Sequence, residues 1–273
     1  MSTADPRGLP LAGRVALVSG AAGRIGRVIV QHLRDEGAMI AAVDRNVAGR
    51  DGLRRELESK AAAKVVTLTA DVSDLDSVTQ LVTEAEAALG QMDILVNCAG
   101  LSLNCLVVDM SVDEWDRAFA INARSVMLMC RAYARQWIAR GVPGSIVNVS
   151  SGAATSARAG GAHYAGAKAA VNMLTETLAI ELGPHGIRAN AVAPGVVLDH
   201  VLTEERPDQH DYINMMWRGT PLRRTGTPLD VAKAVAFLAG DGAAWISGVV
   251  LPVSGGSHAG RTNVPPTRDE KLA

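Results

Sequence analysis

Short apolar segments rich in Val, Ile, Leu and Ala alternate with longer helix-like segments along most of this chain. A near-continuous apolar run is typical of a strand that is buried on both faces. Such strands, separated by helices, predict an α/β fold in which a parallel sheet is covered on both faces. The predicted strands are Arg14–Ser19, Met39–Val43, Val65–Thr69, Asp93–Asn97, Ser145–Val149, Arg188–Ala193 and Val249–Val253.

Helix signals fall between these strands. Ser73 followed by Asp76, and Ser111 followed by Glu114, have the spacing of an N-terminal cap. The predicted helices are Gly26–Glu36, about Val47 to Lys60, one capped by Ser73, one from Ser111 through about Ile138, Ala162–Leu182, and one that begins near Thr227.

No repeat or low-complexity linker divides the chain, so we expect one domain over residues 1–273 with its core at about 11–256. Residues 1–10 and 258–273 are predicted to be polar tails, the first extending as far as Gly13. The segment Leu198–Thr220 is irregular and polar with embedded apolar residues. It predicts short helices or an active-site lid.

Composition argues against several classes of function. The chain carries 27 Lys and Arg against 28 Asp and Glu, which gives no electrostatic reason to expect a nucleic-acid partner. No apolar run approaches the roughly 18 residues of a membrane span, and the N-terminus lacks a signal-peptide pattern. We therefore expect a cytoplasmic protein with no membrane partner. Cys98, Cys105 and Cys130 form no C-x-x-C pair, which indicates reduced thiols and no metal site.

A glycine-rich turn joins the first predicted strand to the first predicted helix. Glycines at such a turn let the backbone approach a pyrophosphate, and the helix N-terminus supplies N–H groups and a partial positive charge. An ordinary tight turn is the alternative interpretation, but the position after a strand is the one that a dinucleotide site requires. The predicted cofactor-binding residues here are Gly20, Gly23, Arg24, Ile25 and Gly26.

Asp44 ends the second predicted strand, where a carboxylate can accept hydrogen bonds from ribose hydroxyls and would repel a 2′-phosphate. This position favours NAD over NADP, although a turn or cap aspartate is the alternative. Arg24 and Arg45 could each neutralise a phosphate and favour NADP. Later strand ends should complete the wall of the site with Asp71, Val72, Asn97, Ala99 and Gly100.

Tyr164 and Lys168 are four residues apart on one predicted helix and share a face. A free phenol has a pKa of about 10, and a nearby cation is expected to lower it. Tyr164 could then be the general acid for carbonyl reduction or the base for alcohol oxidation. Ser151 could donate to the substrate oxygen. Asn122 is predicted either to face solvent or to distort its helix and help hold a water near Lys168.

Together these motifs resemble the short-chain dehydrogenase/reductase family over about Leu11 to Gly256. The resemblance implies a Rossmann-type, doubly wound sheet of seven parallel strands with helices on both faces, and a homotetramer. It implies that Tyr164 is the acid/base, that Lys168 tunes it and binds the nicotinamide ribose, and that Ser151 and Asn122 support them. It further implies adenine contacts from Asp71 and Val72, and nicotinamide carboxamide contacts from Pro194, Gly195 and Val197.

Four residues depart from the family pattern. Arg24 stands where a glycine is usual, so the pyrophosphate turn could be reshaped. Asp199 stands where a threonine often contacts the cofactor, and its carboxylate would be repelled by pyrophosphate. Ser19 replaces a threonine and Cys98 replaces an asparagine, which are milder changes.

The sequence therefore predicts an NAD(H)-dependent secondary-alcohol dehydrogenase or ketoreductase that takes a small-molecule substrate. An NADP(H)-dependent 3-oxoacyl reductase is the alternative among enzymes, and a non-catalytic dinucleotide-binding sensor is the alternative of a different class. Arg158 could meet an anionic group or be solvated. His163, beside Tyr164 in sequence, is expected to face away from the site, and His200 and His210 could contact substrate.

Overall fold

The computed structural model describes residues 8–58 and 63–260. Seven parallel strands form one sheet in the order β3-β2-β1-β4-β5-β6-β7, and the predicted fold class is confirmed. Most of the two predicted tails lies outside the described residues. The strands are β1 (Val15–Ser19), β2 (Met39–Val43), β3 (Val65–Leu68), β4 (Ile94–Asn97), β5 (Gly144–Val149), β6 (Ile187–Pro194) and β7 (Val250–Val253).

Eight α-helices are described, and most lie where the sequence placed them. The third begins after Asp74, whose carboxylate accepts a hydrogen bond from the Ser77 N–H, so the predicted Ser73 cap is wrong. Residues 59 and 60 of the second predicted helix lie outside the described residues. The helices are α1 (Arg24–Asp35), α2 (Val47–Glu58), α3 (Leu75–Leu89), α4 (Val112–Phe119), α5 (Ser125–Arg140), α6 (Ala162–Leu182), α7 (Asp211–Arg218) and α8 (Pro228–Ala239).

The alternating side chains of the strands feed two apolar cores, one on each face of the sheet. On one face, Leu17 and Leu95 pack with buried side chains of α3, α5 and α6, among them Trp137. On the other face, Val18 and Val96 pack with buried side chains of α1, α2 and α8. Burial on both faces is the physical reason that these strands read as continuous apolar runs.

The strand order reverses between β1 and β4, since β1 pairs with β2 on one side and with β4 on the other. In open α/β sheets, ligands bind in the crevice at the carboxyl ends of the strands beside such a reversal. The glycine-rich turn leaves β1 at this point. Among the described residues, no helix is long and apolar enough to cross a membrane.

Candidate active site

A cleft of about 450 Å³ opens along the carboxyl ends of the strands, beside the point where the strand order reverses. It runs from the glycine-rich turn to the N-terminal part of α6. The predicted site residues that line it are Gly20, Gly23, Arg24, Ile25, Gly26, Asp44, Arg45, Asp71, Val72, Ala99, Gly100, Ser151, Tyr164, Lys168, Pro194, Gly195 and Val197.

The glycine-rich turn is packed against the end of β4. Gly20 has a positive φ of 66°, and a Cβ there would lie 2.7 Å from the Cα and N atoms of Ala99. A Cβ on Gly26 would collide with the Gly20 carbonyl group. The hydroxyl of Ser19 accepts hydrogen bonds from the N–H groups of Cys98 and Ala99, at 3.2 and 3.4 Å. The close approaches at positions 20 and 26 require glycine at both. They leave the N-terminus of α1 facing the cleft.

Asp44 is held at the rim of the cleft by two backbone groups. Its Oδ2 accepts a hydrogen bond from the Ala22 N–H, and its Oδ1 accepts one from the Asn46 N–H, both at 2.9 Å. A carboxylate offers about four acceptor sites, so two remain for a ligand. The guanidinium of neighbouring Arg45 lies 3.7 Å from Asp71, which partly neutralises it.

Two of the departures from the family pattern, Arg24 in the cleft lining and Asp199 in the loop after β6, lie close to each other. Arg24 Nε lies 4.0 Å from Asp199 Oδ1, and both side chains are more than half exposed. The arginine in the glycine-rich turn thus offsets the carboxylate that follows β6. Nothing local in the sequence connects these two positions, because they lie far apart in the chain.

Tyr164 and Lys168 share one face of α6 and both line the cleft. The Lys168 Nζ lies 5.9 Å from the centroid of the Tyr164 ring and donates to the Val149 carbonyl at 2.8 Å. Lys168 is only 3% exposed, and burial lowers its pKa from 10.5 to about 8. This ammonium is therefore close to its own titration range near neutral pH.

The structure does not show the lowered tyrosine pKa that the sequence predicted. Burial raises the pKa of Tyr164 above its usual value, and the interaction with Ser151 and the charge of Arg158 offset this only in part. Desolvation disfavours a charged phenolate more than these groups favour it. At neutral pH Tyr164 is consequently a protonated phenol, in the form required of a proton donor.

Asn122 lies in a single π-helical turn, Ala120–Arg124, that separates α4 from α5. Its side chain is completely buried, so the solvent-facing alternative is wrong and the predicted helix distortion is confirmed. Its amide exchanges two hydrogen bonds with the backbone of Leu101 and donates a third to the Ala118 carbonyl. Asn122 does not line the cleft, but a Cβ on Gly100 would lie 3.1 Å from its Oδ1 and 3.5 Å from Lys168 Nζ.

The two serines after β5 have different surroundings. Ser150 is buried, its hydroxyl donates to the Asn172 side chain, and its Oγ lies 3.4 Å from the Lys168 carbonyl oxygen. Ser151 is half-buried, and its hydroxyl accepts a hydrogen bond from the Ala153 N–H at 3.1 Å. Ser150 therefore anchors α6, whereas the Ser151 hydroxyl lines the cleft and interacts with Tyr164.

Asn97 is predicted to bind the cofactor, but it does not line the cleft. Its side chain is buried and donates to Asn148 at 2.9 Å and to the Cys130 sulfur at 3.4 Å. A cofactor contact through this amide is therefore a wrong prediction. Cys98, Leu101 and Ser102 also line the cleft, as the position of their segment after the fourth strand predicts. The lining residues that were not predicted are Val43, Ala70, Ser73, Ile121, Val149 and Ser150. They are apolar or small, which explains why no sequence signal identified them.

The predicted lid, Leu198–Thr220, is a loop followed by α7. The loop is fastened by Leu202, which is 3% exposed and whose N–H donates to Thr225 Oγ1 at 2.9 Å. His210 caps α7, because its Nδ1 atom accepts a hydrogen bond from the Tyr212 N–H. His163 is completely buried and, among the described residues, neither of its ring nitrogens has a hydrogen-bond partner.

Cys98 and Cys130 carry thiols whose pKa values are raised by burial. Burial raises the pKa of both Cys98 and Cys130 to about 12, so neither is a thiolate at neutral pH. Within residues 8–58 and 63–260, no cluster of three His, Cys, Asp or Glu side chains has the arrangement of a metal site.

Known proteins resemble the chain over nearly its full length. The family model described as Enoyl-(Acyl carrier protein) reductase matches residues 20–258. The (3R)-3-hydroxyacyl-CoA dehydrogenase of Mus musculus is 37% identical, over 91% of this chain and 97% of that protein. The L-xylulose reductase of Homo sapiens is 38% identical, over 91% of this chain and 98% of that protein.

Solved structures agree with these relatives. A short chain dehydrogenase from Mycobacterium smegmatis superposes with a TM-score of 0.79 at 33% identity, over 90% of this chain and 93% of that one. A short-chain type dehydrogenase/reductase from Mycobacterium marinum gives 0.83 at 28% identity, over 91% and 97%. The chain therefore belongs to the short-chain dehydrogenase/reductase family and is an oxidoreductase that acts on alcohol or carbonyl groups.

Proposed function

We propose that this oxidoreductase is an NAD(H)-dependent secondary-alcohol dehydrogenase or ketoreductase in which Tyr164 is the general acid/base. One observation carries the proposal: Ser151, Tyr164 and Lys168 line the same cleft as the glycine-rich turn. A bound nicotinamide would supply or accept the hydride, and the protein would supply placement and electrostatics. The substrate would be a small carbonyl or alcohol compound.

Each polar side chain has a distinct part in this proposal. The neutral phenol of Tyr164 donates its proton to the carbonyl oxygen in reduction and receives one in oxidation. The Ser151 hydroxyl donates a hydrogen bond to the same oxygen, where charge develops. Lys168 would bind the nicotinamide ribose, and Asn122 would hold the Leu101 backbone and support a water-mediated proton relay.

The choice of NAD rests on the carboxylate of Asp44. Its two free acceptor sites suit the hydroxyls of an adenosine ribose, and its charge opposes a 2′-phosphate. The nearest competing cation, Arg45, is already opposed by Asp71. The adenine would lie against Asp71 and Val72, and the carboxamide against Pro194, Gly195 and Val197.

An NADP(H)-dependent 3-oxoacyl reductase is the second candidate function. Arg24 favours it because its guanidinium lies at the N-terminus of α1, and the (3R)-3-hydroxyacyl-CoA dehydrogenase relative acts on a related class of compound. Initial rates with NADH and with NADPH, at equal concentration and on the same ketone, separate the two. Faster turnover with NADPH would reject the NAD assignment.

We also propose that the protein is a homotetramer. Large apolar side chains are exposed on several helices, and an interface between subunits would cover such side chains. One set belongs to α4, α5 and α6, and the other lies in and after α8. These residues are Val112, Trp115, Met127, Ile138, Met173 and Ile180, and then Leu229, Phe237 and Trp245. Light scattering after size-exclusion chromatography tests the assembly.

A cytoplasmic location stays a prediction.

The acid/base assignment is tested with Tyr164→Phe. We expect kcat to fall by about 10²- to 10⁴-fold, while the Kd for NADH is unchanged because the ring remains. Tyr133→Phe is the matched control, since the Tyr133 hydroxyl is buried and has no hydrogen-bond partner among the described residues. If the wild-type protein binds NADH but turns over no member of broad alcohol and ketone panels, the sensor interpretation replaces the enzyme.

A further inference from the structure

One arginine lies beside the proposed acid/base without being part of the cleft lining. Arg158 is in the loop after β5, and its Cζ is 5.2 Å from the centroid of the Tyr212 ring in α7. Arg158 and Tyr212 both affect the phenol of Tyr164: the cation lowers its pKa, and the second phenol raises it. Both side chains therefore lie within electrostatic range of the atom that would exchange the proton.

The guanidinium of Arg158 is not neutralised by the protein. No Asp or Glu of residues 8–58 and 63–260 forms an ion pair with it, whereas three other arginines in and just after the lid segment each have a carboxylate partner. An arginine without an anion beside a reactive centre is suited to an anion from the ligand. The paired arginines are Arg206 with Asp208, Arg218 with Glu205, and Arg224 with Asp230.

The loop is shaped to hold this side chain in place. Gly160 has a φ of 75°, and its carbonyl accepts a hydrogen bond from the Cys105 N–H at 3.0 Å, which ties the loop to the segment after β4. A Cβ on Gly161 would lie 3.0 Å from Arg158 Cγ and 3.3 Å from its Nε. Glycine at this position therefore lets the arginine side chain lie against its own loop.

The N–H donors of this guanidinium are not used elsewhere in the part of the chain that the structure describes. The Arg158 side chain is exposed and lies over the Tyr212 ring, and no described residue accepts a hydrogen bond from it. A guanidinium offers its N–H donors in a planar fork, which matches the two oxygens of a carboxylate. Arg158 can therefore bind an anion near the phenol of Tyr164.

We propose that Arg158 binds a carboxylate of the substrate and that the enzyme acts on hydroxy acids and oxo acids. The inference rests on the proposed function, because it takes Tyr164 as the group that exchanges a proton with the substrate oxygen. Arg158 fixes the acid group, and the carbonyl is thereby directed to the phenol and the Ser151 hydroxyl. Neutral ketones of the same length lack this second point of attachment.

The test compares matched acids and esters as substrates. 2-Oxobutanoate, 3-oxobutanoate and 4-oxopentanoate, each against its methyl ester, are assayed by NADH absorbance with wild type, Arg158→Met and Arg223→Met. Arg223 is the matched control, because its Cζ likewise lies near an aromatic ring, 5.8 Å from that of Trp217, whereas its charge is not among those that shift the pKa of Tyr164. We expect wild type to prefer at least one acid over its ester, and Arg158→Met to raise the KM for that acid by about 10-fold or more.

The ester KM, the Kd for NADH and all constants of Arg223→Met should stay unchanged. An equal loss for acid and ester in Arg158→Met would overturn the inference, since the arginine would then act only through Tyr164 or the loop. Acetoacetyl-CoA is assayed alongside these substrates. If Arg158→Met raises the KM for acetoacetyl-CoA more than the KM for the acids, Arg158 binds a phosphate group of the substrate and the inference is overturned. Turnover of neutral ketones with no preference for acids would reject this inference and leave the proposed function standing. Absence of turnover on every substrate would reject both.

Discussion

The two ends of the cleft are held by different kinds of contact. The glycine-loop half, which we define as Ser19–Gly26, Asp44–Arg45 and Cys98–Gly100, is fixed at the ends of adjacent strands. Backbone N–H groups there donate to the Ser19 hydroxyl and the Asp44 carboxylate, and the backbone of Ala99 approaches Gly20 closely. The lid half, defined as Leu101–Leu106, Thr155–Gly161 and Leu198–Thr220, is fixed by contacts between separate loops and α7, among them the hydrogen bond from the Leu202 N–H to Thr225 and the contact of Arg158 with Tyr212.

This difference predicts a division of function. The sheet fixes the positions of the strand ends, so the glycine-loop half is suited to one invariant ligand. Loops that are held by contacts with other loops can change shape with single substitutions, so the lid half can set substrate specificity. Lys168 stands where the halves meet, and variants on each side should separate cofactor binding from substrate choice.

The largest expected effect is that of Lys168→Met, which affects both halves. We expect turnover to fall by about 10²-fold or more. Burial lowers the pKa of Lys168 from 10.5 to about 8, so its charge destabilises the fold fully below pH 8, and this cost disappears as pH rises toward 10.5. At pH 7 the free energy of unfolding of Lys168→Met should therefore exceed that of the wild type by on the order of 1–3 kcal/mol.

Urea denaturation at pH 7 and across pH 8–10.5 measures that change. Wild type should gain stability over this range relative to Lys168→Met, and the exposed Lys233→Met should follow wild type. A variant that is both inactive and less stable at pH 7 would show that the hydrogen bond to the Val149 carbonyl outweighs desolvation.

Leu202→Ala probes the lid half alone. Leu202 is buried, and removing its side chain should cost about 2–3 kcal/mol if the lid unfolds with the rest of the protein. Because the lid carries Tyr212 and borders the substrate, the KM for ketones should rise while the Kd for NADH is unchanged. Leu222→Ala, 67% exposed, is the control. Weaker NADH binding in Leu202→Ala would contradict the separation of the two halves.

Asp44→Ser probes the glycine-loop half. Removing the carboxylate takes away charge-assisted bonds to ribose and the repulsion of a 2′-phosphate, so the ratio of kcat/KM for NADH to that for NADPH should fall by about 10- to 100-fold. Steady-state kinetics with both cofactors measure the ratio. The KM values of the acid and ester substrates should keep their order. An unchanged ratio would show that Asp44 does not determine the preference for NADH over NADPH.

The smallest effect is expected for the ion pair between the halves. Arg24 and Asp199 are 4.0 Å apart and largely exposed, and such pairs contribute about 0.2–1 kcal/mol. A double-mutant cycle with Arg24→Gln and Asp199→Asn, read as the Kd for NADH, should give a coupling within that range. The coupling should shrink at high salt. Strictly additive effects would mean that the two residues act on the cofactor independently.

The sequence predicted every strand boundary to within one residue, because an apolar run reflects burial on both sheet faces locally. It identified most of the cleft for a related reason: a strand end followed by glycine or a carboxylate is a local signal. It was wrong about Asn97, whose side chain turns into the core, because local sequence does not say toward which side a residue at the end of a strand points.

Sequence alone determined the alternating architecture, the glycine-rich turn and the pairing of a phenol with an ammonium on one helix face. Tertiary structure decided which charges are neutralised. It placed Arg24 against Asp199 and Arg45 against Asp71, and it left Arg158 without a carboxylate partner among the described residues. It also reversed the expected pKa change of Tyr164, because desolvation and charge pairing depend on which distant segments surround a group once the chain has folded.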